Sequence, residues 1–570
     1  MTLRRLYLYL VSAVSLGLWA AGLALLGNTV LLFLFNYPSA QDSRTALAGF
    51  TAMTAVALPV WGIHFWFARR YAMRDPSERA SAIRRLYVYW ACLAGALGAL
   101  VALASTAGDL LRPLVDVCPF TGYAPLTPKG GQILYSCPAS QNWLVTSQAG
   151  WVAAVFLAIW AFHFWIAARD RAAAGETGAS ATLRRWYMYA VLLVGLLVML
   201  SGASSLLQVL WLRVAGPLGG TFHMADAAGL FTAGFVVWGF HARTVAQNHV
   251  ADYRHSTLRA AQGFIALAVS IAIALFGASQ ILYYALARAL GVDNPGGAGN
   301  DILGALASPA SLLVVYGTAW FLMRRRLARD AETQEGDRQA NIRRLYTNLA
   351  CLVSLGASTI GAGGLLWTLA EQVEGPIIGV AAGGTRWKDP ASLWLTLLVV
   401  GSAVWLAHWR QAPWAADRQA LPRRLYVWAA LLAGVLAVLG GGVGMLAAVL
   451  RQVFSARPTL ADSTNLNFGH YLAVVVVAAG VGFYHWRVLR ADAAARPPKA
   501  AAEPAPAVVA AVVSRLVTAP GVTEPHTHRY LLSVTDATED DVHQALSSLP
   551  PHAAYKLTPA EIGALPVDGR

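Results

Sequence analysis

Charged residues are scarce in this sequence. Asp, Glu, Lys and Arg make up 13% of its 570 residues, whereas apolar residues make up 57%. A soluble protein needs about 25% charged residues to cover its surface, so the composition excludes an array of soluble domains. The mean hydropathy of +0.51 leads to the same conclusion. We therefore interpret the chain as a membrane protein.

Motifs of enzymatic chemistry are missing as well. The sequence contains no P-loop, nucleophile elbow, HExxH or CxxC motif, and its glycine clusters follow no strand pattern. No Asp, Glu, Lys or Arg lies at the centre of an apolar run, although such groups mark most pathways for ions and protons. The sequence therefore gives no support to an enzyme, predicts no cofactor and no metal site, and favours transport only for a hydrophobic substrate.

Long apolar runs dominate the sequence instead. Twelve runs of about 20 residues occur, the length that crosses the hydrocarbon core of a bilayer. Strand alternation is absent and Ala and Leu are abundant, so each run predicts a helix. The sixth run covers residues 224–242. We expect an all-α polytopic membrane protein with twelve transmembrane helices.

The positive charge is placed as in an oriented membrane protein. The formal net charge is +14, and the basic residues are mostly arginines beside the apolar runs. That placement is typical of membrane orientation and not of a nucleic-acid groove. The Arg-rich segments alternate with poorer ones, which predicts that both termini are cytoplasmic. We expect anionic lipid headgroups at that face as partners, and no nucleic acid.

Two short motifs recur along the chain. An entry motif of paired arginines and an aromatic residue begins every second apolar run, and an exit motif, Trp-x-x-His, ends the run that follows. The entry pairs are Arg4 and Arg5, Arg84 and Arg85, Arg184 and Arg185, Arg343 and Arg344, and Arg423 and Arg424. The exit residues are Trp61 and His64, Trp160 and His163, Trp238 and His241, Trp405 and His408, and His485 without its Trp. Self-similarity of this kind predicts stacked structural units.

The motifs predict six parallel two-helix hairpins. Their expected bounds are 1–75, 76–175, 176–252, 253–335, 336–416 and 417–490, followed by an Ala/Pro-rich linker over 491–513 and a small α+β cytoplasmic module over 514–570. The fourth hairpin is degenerate, because its entry reads "RAAQ" from Arg259 and Met323 replaces the exit His. The sixth has Gly482 in place of the exit Trp. The module is a candidate site for a protein partner.

A stripe of small residues accompanies the entry motif. Counted from the second arginine, the tenth and seventeenth positions are always Gly, Ala or Ser. They are Ser15, Gly95, Gly195, Ser270, Ser354 and Gly434, then Gly22, Ala102, Gly202, Gly277, Gly361 and Gly441. Residues seven apart share one helix face, so this stripe predicts a seam where another backbone approaches closely.

The motif residues themselves are candidates for an interfacial belt. The five exit histidines lie beside aromatic residues and close to arginines, at the expected headgroup level, where Trp rings anchor helices and arginines reach lipid phosphates. We interpret the arginine pairs and Trp61, Trp160, Trp238 and Trp405 as that belt on the inner face. Contact of the histidines with anionic headgroups is one alternative. Binding of haem or another cofactor by His64, His163, His241, His408 and His485 is a weaker one.

The four cysteines fall into two kinds. Cys118 and Cys137 bracket the longest outer loop, where an oxidising compartment favours a disulfide; free thiols or a metal site are the alternatives. Cys92 and Cys351 share one repeat position inside apolar runs, which predicts that they pack as small hydrophobic residues.

The "RRLYxY" entry and the Trp-x-x-His-Trp type of exit resemble a bacterial integral-membrane repeat family known as a domain of unknown function. The resemblance covers about residues 1–490 and implies a multi-pass protein of the bacterial inner membrane, without an activity or catalytic residues. The leading hypothesis is a non-enzymatic scaffold, sensor or accessory subunit. A transporter or lipid-handling protein is the first alternative, and a haem or quinone redox subunit is the second.

Overall fold

The computed structural model describes most of the chain. The described residues are 2–37, 43–116, 122–125, 132–135, 143–175, 177–215, 223–247, 256–295, 301–332, 337–377, 385–410, 418–454, 468–495, 510–517, 526–532, 553–556 and 559–560. They belong to two compact units, Met1–Leu489 and Arg490–Arg570.

Long helices make up the first unit. They are α1 (Thr2–Leu34), α2 (Arg44–Arg74), α3 (Ala82–Val115), α4 (Trp143–Ala174), α5 (Gly178–Ala215), α6 (Met224–Gln247), α7 (Thr257–Ala289), α8 (Ala307–Glu332), α9 (Asp337–Ile377), α10 (Lys388–Trp409), α11 (Leu421–Phe454) and α12 (Phe468–Ala494). Two short helices, Pro76–Ala80 and Ile302–Ala305, precede α3 and α8. Each predicted apolar run corresponds to one long helix.

Most of these helices are suited to a bilayer. Within the described part of the chain, 11 helices are long and apolar enough to cross a membrane. The protein is therefore a multi-pass membrane protein. Helix α6, which contains the predicted sixth run, is not among the 11. Its sequence is rich in Ala, Gly and Thr, which lower its mean hydropathy compared with Leu and Val.

The helices pack in a regular order. Consecutive helices pair as α1 with α2, α3 with α4, α5 with α6, α7 with α8 and α9 with α10. The first helix of one pair also packs against the second helix of the next, as α1 does on α4, α3 on α6, α5 on α8 and α7 on α10. The first helices of neighbouring pairs touch as well. Each pair thus contacts mainly its neighbours, which is the arrangement of repeat proteins.

The small-residue stripe lies where it was predicted. A Cβ atom at Gly202, Gly277 or Gly361 would come within 3.0 Å of a backbone atom of the second helix of the same pair. The stripe residues Ser15 and Ser270 are buried as well. Each stripe therefore joins the two helices of one pair, because only a residue without a bulky side chain permits such close backbone contact.

Two small sheets accompany the helices. Strands β1 (Gly122–Pro125) and β2 (Gln132–Tyr135) form an antiparallel pair in the loop between α3 and α4. In the second unit, β3 (Ala510–Val517) pairs antiparallel with β4 (His526–Leu532), β5 (Ala553–Lys556) and β6 (Pro559–Ala560), in the order β4-β3-β5. Strand β3 starts inside the segment that was predicted as linker, because its first four residues are part of an Ala/Val-rich run. The segment "EDDVHQALSSL" over 539–549, whose acidic start predicts the helix of the α+β module, lies outside the described residues.

The close contacts of α6 allow a matched test. A Cβ atom at Gly234 would meet the backbone of Met199 and Gly195 at 3.0 Å or less, whereas nothing lies within 4 Å of one at Gly239. We predict that Gly234→Val lowers the thermal unfolding temperature in detergent by several degrees, because overpacking costs about 1–3 kcal/mol. Gly239→Val on the same helix should leave it nearly unchanged. Equal effects of the two variants would contradict the close backbone contact at Gly234.

Candidate functional site

The entry and exit motifs meet at one end of each helix pair. The tyrosine of the entry motif, three residues after the first arginine, forms a hydrogen bond with the exit histidine of its own pair. The distances from Tyr Oη to His Nε2 are 3.2 Å for Tyr7 and His64, 3.2 Å for Tyr87 and His163, 2.8 Å for Tyr187 and His241, 3.3 Å for Tyr346 and His408, and 2.9 Å for Tyr426 and His485.

The backbone fixes the direction of these hydrogen bonds. Each histidine Nδ1 lies 2.8–2.9 Å from the carbonyl oxygen four residues earlier in its helix. A carbonyl can only accept, so Nδ1 carries the proton and the neutral ring presents a lone pair at Nε2. The tyrosine hydroxyl therefore donates to the histidine.

A tryptophan of the preceding pair completes the arrangement. Its indole Nε1 donates to the same tyrosine oxygen, over 2.9 Å from Trp61 to Tyr87, 2.9 Å from Trp160 to Tyr187 and 2.8 Å from Trp405 to Tyr426. Trp320 donates to Tyr346 in the same way. We call this unit the Trp–Tyr–His bridge. Each bridge joins two neighbouring helix pairs through a hydroxyl that accepts from one and donates to the other.

The bridge explains the irregular repeats. The sixth pair is followed by no further entry tyrosine, and it has Gly482 where the exit Trp would be. The fourth pair has Gln262 in place of the entry tyrosine and Met323 in place of the histidine, so both partners of one hydrogen bond are lost together. The fourth pair keeps Trp320, whose indole N–H donates to Tyr346 of the fifth pair. Gly482, Gln262 and Met323 thus each stand where another member of the same bridge is missing, whereas the third pair keeps Trp238 although position 262 offers it no tyrosine.

The histidines lie inside the protein. His163, His241 and His485 are 1%, 2% and 1% exposed, and His64 and His408 are half-buried. This differs from the predicted lipid belt, because the aromatic neighbours of each histidine belong to packed helices and cover it. Both ring nitrogens are engaged, so a metal or haem iron at Nε2 would have to displace a tyrosine. Among the described residues, no group of three or more His, Cys, Asp or Glu could hold a metal ion.

The first arginine of the second entry motif is also internal. Arg84 donates from Nε and Nη2 to both carboxylate oxygens of Asp170, at 2.7 and 3.3 Å, and from Nη1 to the hydroxyl of Tyr9 at 3.0 Å. The two charged side chains are only 3% and 7% exposed. Arg84 thus pairs with a carboxylate of α4 and not with the predicted lipid phosphate. Asp170 lies two helical turns beyond His163 along α4, and this position brings its carboxylate to the start of α3.

The other entry arginines vary in exposure. Arg4 and Arg5 share the carboxylate of Glu78, at 2.6 and 2.8 Å. Arg85 donates to the carbonyl oxygens of Arg79 and Gly175. Arg84, Arg85, Arg184 and Arg423 are buried, Arg5, Arg185, Arg343 and Arg344 are half-buried, and Arg4 and Arg424 are exposed. The exit residues Trp61, Trp160, Trp238 and Trp405 are half-buried.

Glu78 belongs to a short helix whose start is capped. Asp75 accepts hydrogen bonds from the backbone N–H and the hydroxyl of Ser77, both at 2.8 Å, and these bonds lower the pKa of its carboxyl. Pro76 fills the first helical position, where no N–H is needed. The sequence "DPSER" therefore holds Glu78 at a fixed place between α2 and α3.

Sequence reasoning missed two functional positions. It assigned no role to the entry tyrosines, although these recur at one spacing as Tyr7, Tyr87, Tyr187, Tyr346 and Tyr426. It also missed a carboxylate seven residues after the exit position. Asp170, Asp330 and Asp492 share that spacing, which is two helical turns. Comparing all six units at this offset would have identified a partner for the entry arginines.

The predicted disulfide concerns residues outside the described part. Cys118 and Cys137 flank the β1–β2 pair in sequence, and their pairing stays a prediction. Cys92 and Cys351 are free thiols that are buried, as their apolar positions predicted.

A second ionic cluster lies at the other end of α3. Arg112 donates to Asp109 at 3.0 Å, to Asp116 at 3.3 Å and to Asp226 at 2.9 Å. Asp116 also accepts from the backbone N–H of Ala225 at 2.9 Å. The cluster ties the end of α3 to the start of α6, so polar contacts also join neighbouring helix pairs at the end opposite the bridges.

These features define a multi-pass helical membrane protein with internal repeats whose motifs bind one helix pair to the next. The chain belongs to the family described as a domain of unknown function (DUF5671). The family model matches four times, over residues 5–129, 135–233, 264–369 and 344–480. No curated protein and no solved structure matches the chain.

The bridge predicts that two tyrosine variants differ in stability. Tyr187→Phe removes the hydroxyl between Trp160 and buried His241, and each buried group left unpaired costs about 1–3 kcal/mol. We expect a clear fall of the unfolding temperature in detergent, followed by tryptophan fluorescence. Tyr7→Phe is the matched control, because Tyr7 is exposed and, among the described residues, its hydroxyl bonds to half-buried His64 without a tryptophan donor. If both variants shifted the unfolding temperature equally, the complete bridge at Tyr187 would stabilise the fold no more than the single hydrogen bond at Tyr7.

The buried ion pair predicts a double-mutant result. Asp170→Asn leaves Arg84 charged inside the protein, and breaking a buried pair in this way costs about 3–5 kcal/mol. The unfolding temperature should fall strongly in Asp170→Asn and recover in part when Arg84→Gln is added. A double variant no more stable than Asp170→Asn would argue against a direct interaction of the two side chains.

Proposed function

We propose that the protein is a non-enzymatic scaffold or accessory subunit of the membrane. The observation that carries this proposal is the Trp–Tyr–His bridge. Its polar groups satisfy one another between neighbouring helix pairs, which leaves the most regular motif of the chain with a structural role. A platform of this kind offers partners the surfaces of its packed helix pairs.

The proposed topology has twelve spans in six parallel hairpins. Helix α6 has 24 residues, or about 36 Å, and its length therefore suits a bilayer. Its close packing on α3 and α5 explains why small residues replace larger apolar ones there. The bridges support parallel hairpins, since they bring the starts of entry helices and the ends of exit helices to one level. We propose that this level, with the arginine pairs and exit tryptophans, is the cytoplasmic interface of a bacterial inner membrane.

The proposed topology can be tested by labelling. In a variant with Cys118 and Cys137 replaced by Ser, a cysteine is placed at Gly297 or Thr385, and in parallel at Glu335. We expect a membrane-impermeant maleimide to label the first two in intact cells and the third only after the membrane is permeabilised. The buried Cys92 and Cys351 should stay unlabelled and serve as internal controls. The reverse pattern would overturn the cytoplasmic assignment.

The C-terminal module is the proposed contact for a partner protein. Its three main strands form an antiparallel sheet. Site-specific photo-crosslinking in cells from residues of this module, compared with a chain that ends at residue 495, tests the idea. A partner captured by the full chain at stoichiometric yield and absent from the shortened chain supports it. Crosslinks only to lipid would count against it.

A lipid-handling protein is the second candidate. An apolar groove of about 510 Å³ lies between α9, α10, α11 and α12, with Ile360, Trp394 and Val474 in its walls. His470 also lines the groove, and its Nε2 lies 3.3 Å from a carboxylate oxygen of Glu371. An acyl chain suits such a groove. The redox alternative has less support, because the bridge histidines use Nε2 internally. We expect no Soret band in an absorption spectrum of the purified protein.

A further inference from the structure

A basic cavity separates the ends of α2 and α4. It measures about 400 Å³, and the residues that define its chemistry are Arg69, Arg79, Arg84, Trp165, Arg169 and Asp170. Ala72, Met73 and Ile166 give it an apolar wall. The cavity lies beside the second entry motif, at the end of the helices where the bridges are found.

Three of its arginines carry uncompensated charge. Asp170 offsets Arg84, which directs its remaining donor to Tyr9. Within the described part of the chain, Arg69, Arg79 and Arg169 form no ion pair. Arg69 and Arg169 lie over the ring of Trp165, at 5.8 and 4.6 Å from its centroid, and Arg79 bonds through Nε to the carbonyl oxygen of Ala72.

Those contacts orient the three guanidinium groups for a ligand. A guanidinium lying over an aromatic ring keeps the N–H groups of its edge available, and Arg79 keeps two nitrogens beyond its Nε. Planar N–H pairs match the oxygens of a phosphate group, which accepts several charge-assisted hydrogen bonds at once. A volume of 400 Å³ is ample for a phosphate with its glycerol, and the apolar wall suits the start of an acyl chain.

We propose that this cavity binds the phosphate headgroup of one anionic phospholipid. The inference rests on the proposal that these helix ends lie at the cytoplasmic membrane surface, where basic pockets between helices hold such headgroups. The lipid bridges α2 of the first pair and α4 of the second, and its charge relieves the repulsion among Arg69, Arg79 and Arg169. The site is thus a specific one, distinct from a general attraction of the arginine belt to the leaflet.

The experiment measures lipid binding to the delipidated full-length protein. Phosphatidylglycerol, phosphatidylcholine and inorganic phosphate are each added in nonionic detergent, and binding is followed by native mass spectrometry and by the unfolding temperature. We expect phosphatidylglycerol to bind one to one and to raise the unfolding temperature, because a ligand stabilises the state it binds. Equal stabilisation by phosphatidylcholine would overturn the anionic site. Equal stabilisation by inorganic phosphate would overturn the proposal that the bound phosphate group belongs to a lipid.

Matched variants locate the site. Arg69→Gln with Arg169→Gln should weaken phosphatidylglycerol binding about tenfold or more, since both substitutions remove charge-assisted hydrogen bonds to the phosphate. Arg324→Gln with Arg325→Gln is the control, because these arginines also lie over aromatic rings, in α8 and outside the cavity. Unchanged binding in the first variant, or equal loss in the control, would overturn the assignment.

A conservative pair guards against misfolding. Arg69→Lys with Arg169→Lys keeps the charge and should keep the fold, but it loses the planar donors. We expect binding between that of the wild type and the Gln variant, with an unchanged unfolding temperature in the absence of lipid. Full binding by the Lys variant would overturn recognition by guanidinium groups. The maleimide labelling described above tests the membrane topology separately. Failure of the lipid-site proposal is therefore distinguishable from failure of the proposed topology.

Discussion

The arrangement of this protein depends on one tyrosine hydroxyl group in each of five of its six repeats. A membrane interior offers no water to polar side chains, so every buried donor and acceptor needs a partner within the protein. The entry tyrosine supplies two such partnerships, because its oxygen accepts from a tryptophan and its proton goes to a histidine. Since the tryptophan belongs to the preceding helix pair, the same atom also joins one repeat to the next. The hydrogen bonds that satisfy these buried polar groups are therefore the same ones that join the repeats.

The departures from the repeat follow from this constraint. A tryptophan without a tyrosine to receive it serves no bridge, and the last pair has Gly482 at that place. A histidine without a tyrosine would leave Nε2 unpaired, and the fourth pair has Met323 there. Gln262 stands in the position of the missing tyrosine and is buried, with an oxygen that has no partner among the described residues. The fourth pair is thus the place where the repeat is least complete.

The sequence predicted the helices and the glycine seam well, because length, hydropathy and residue size determine both locally. It did not predict the surroundings of His163 or Arg84. Aromatic and basic residues at a helix end look alike whether lipid or protein covers them. The neighbours that cover these two include Tyr9, Trp61 and Phe65, which come from another pair. Asp170 was overlooked because a single carboxylate beyond an apolar run resembles an ordinary solvated charge. The start of β3 was missed because Ala and Pro near it resemble a linker.

Regularity and function therefore occupy different parts of the molecule. The bridge, the Arg84–Asp170 pair and the seam use their polar groups and close contacts internally, so they leave little chemistry for a ligand. The groups proposed to bind a ligand are ones that these internal contacts leave available. Arg69 and Arg169 flank Trp165 at one such place, and the groove along α9 is another. A repeat family can in this way keep one architecture while individual pairs diverge in what they bind.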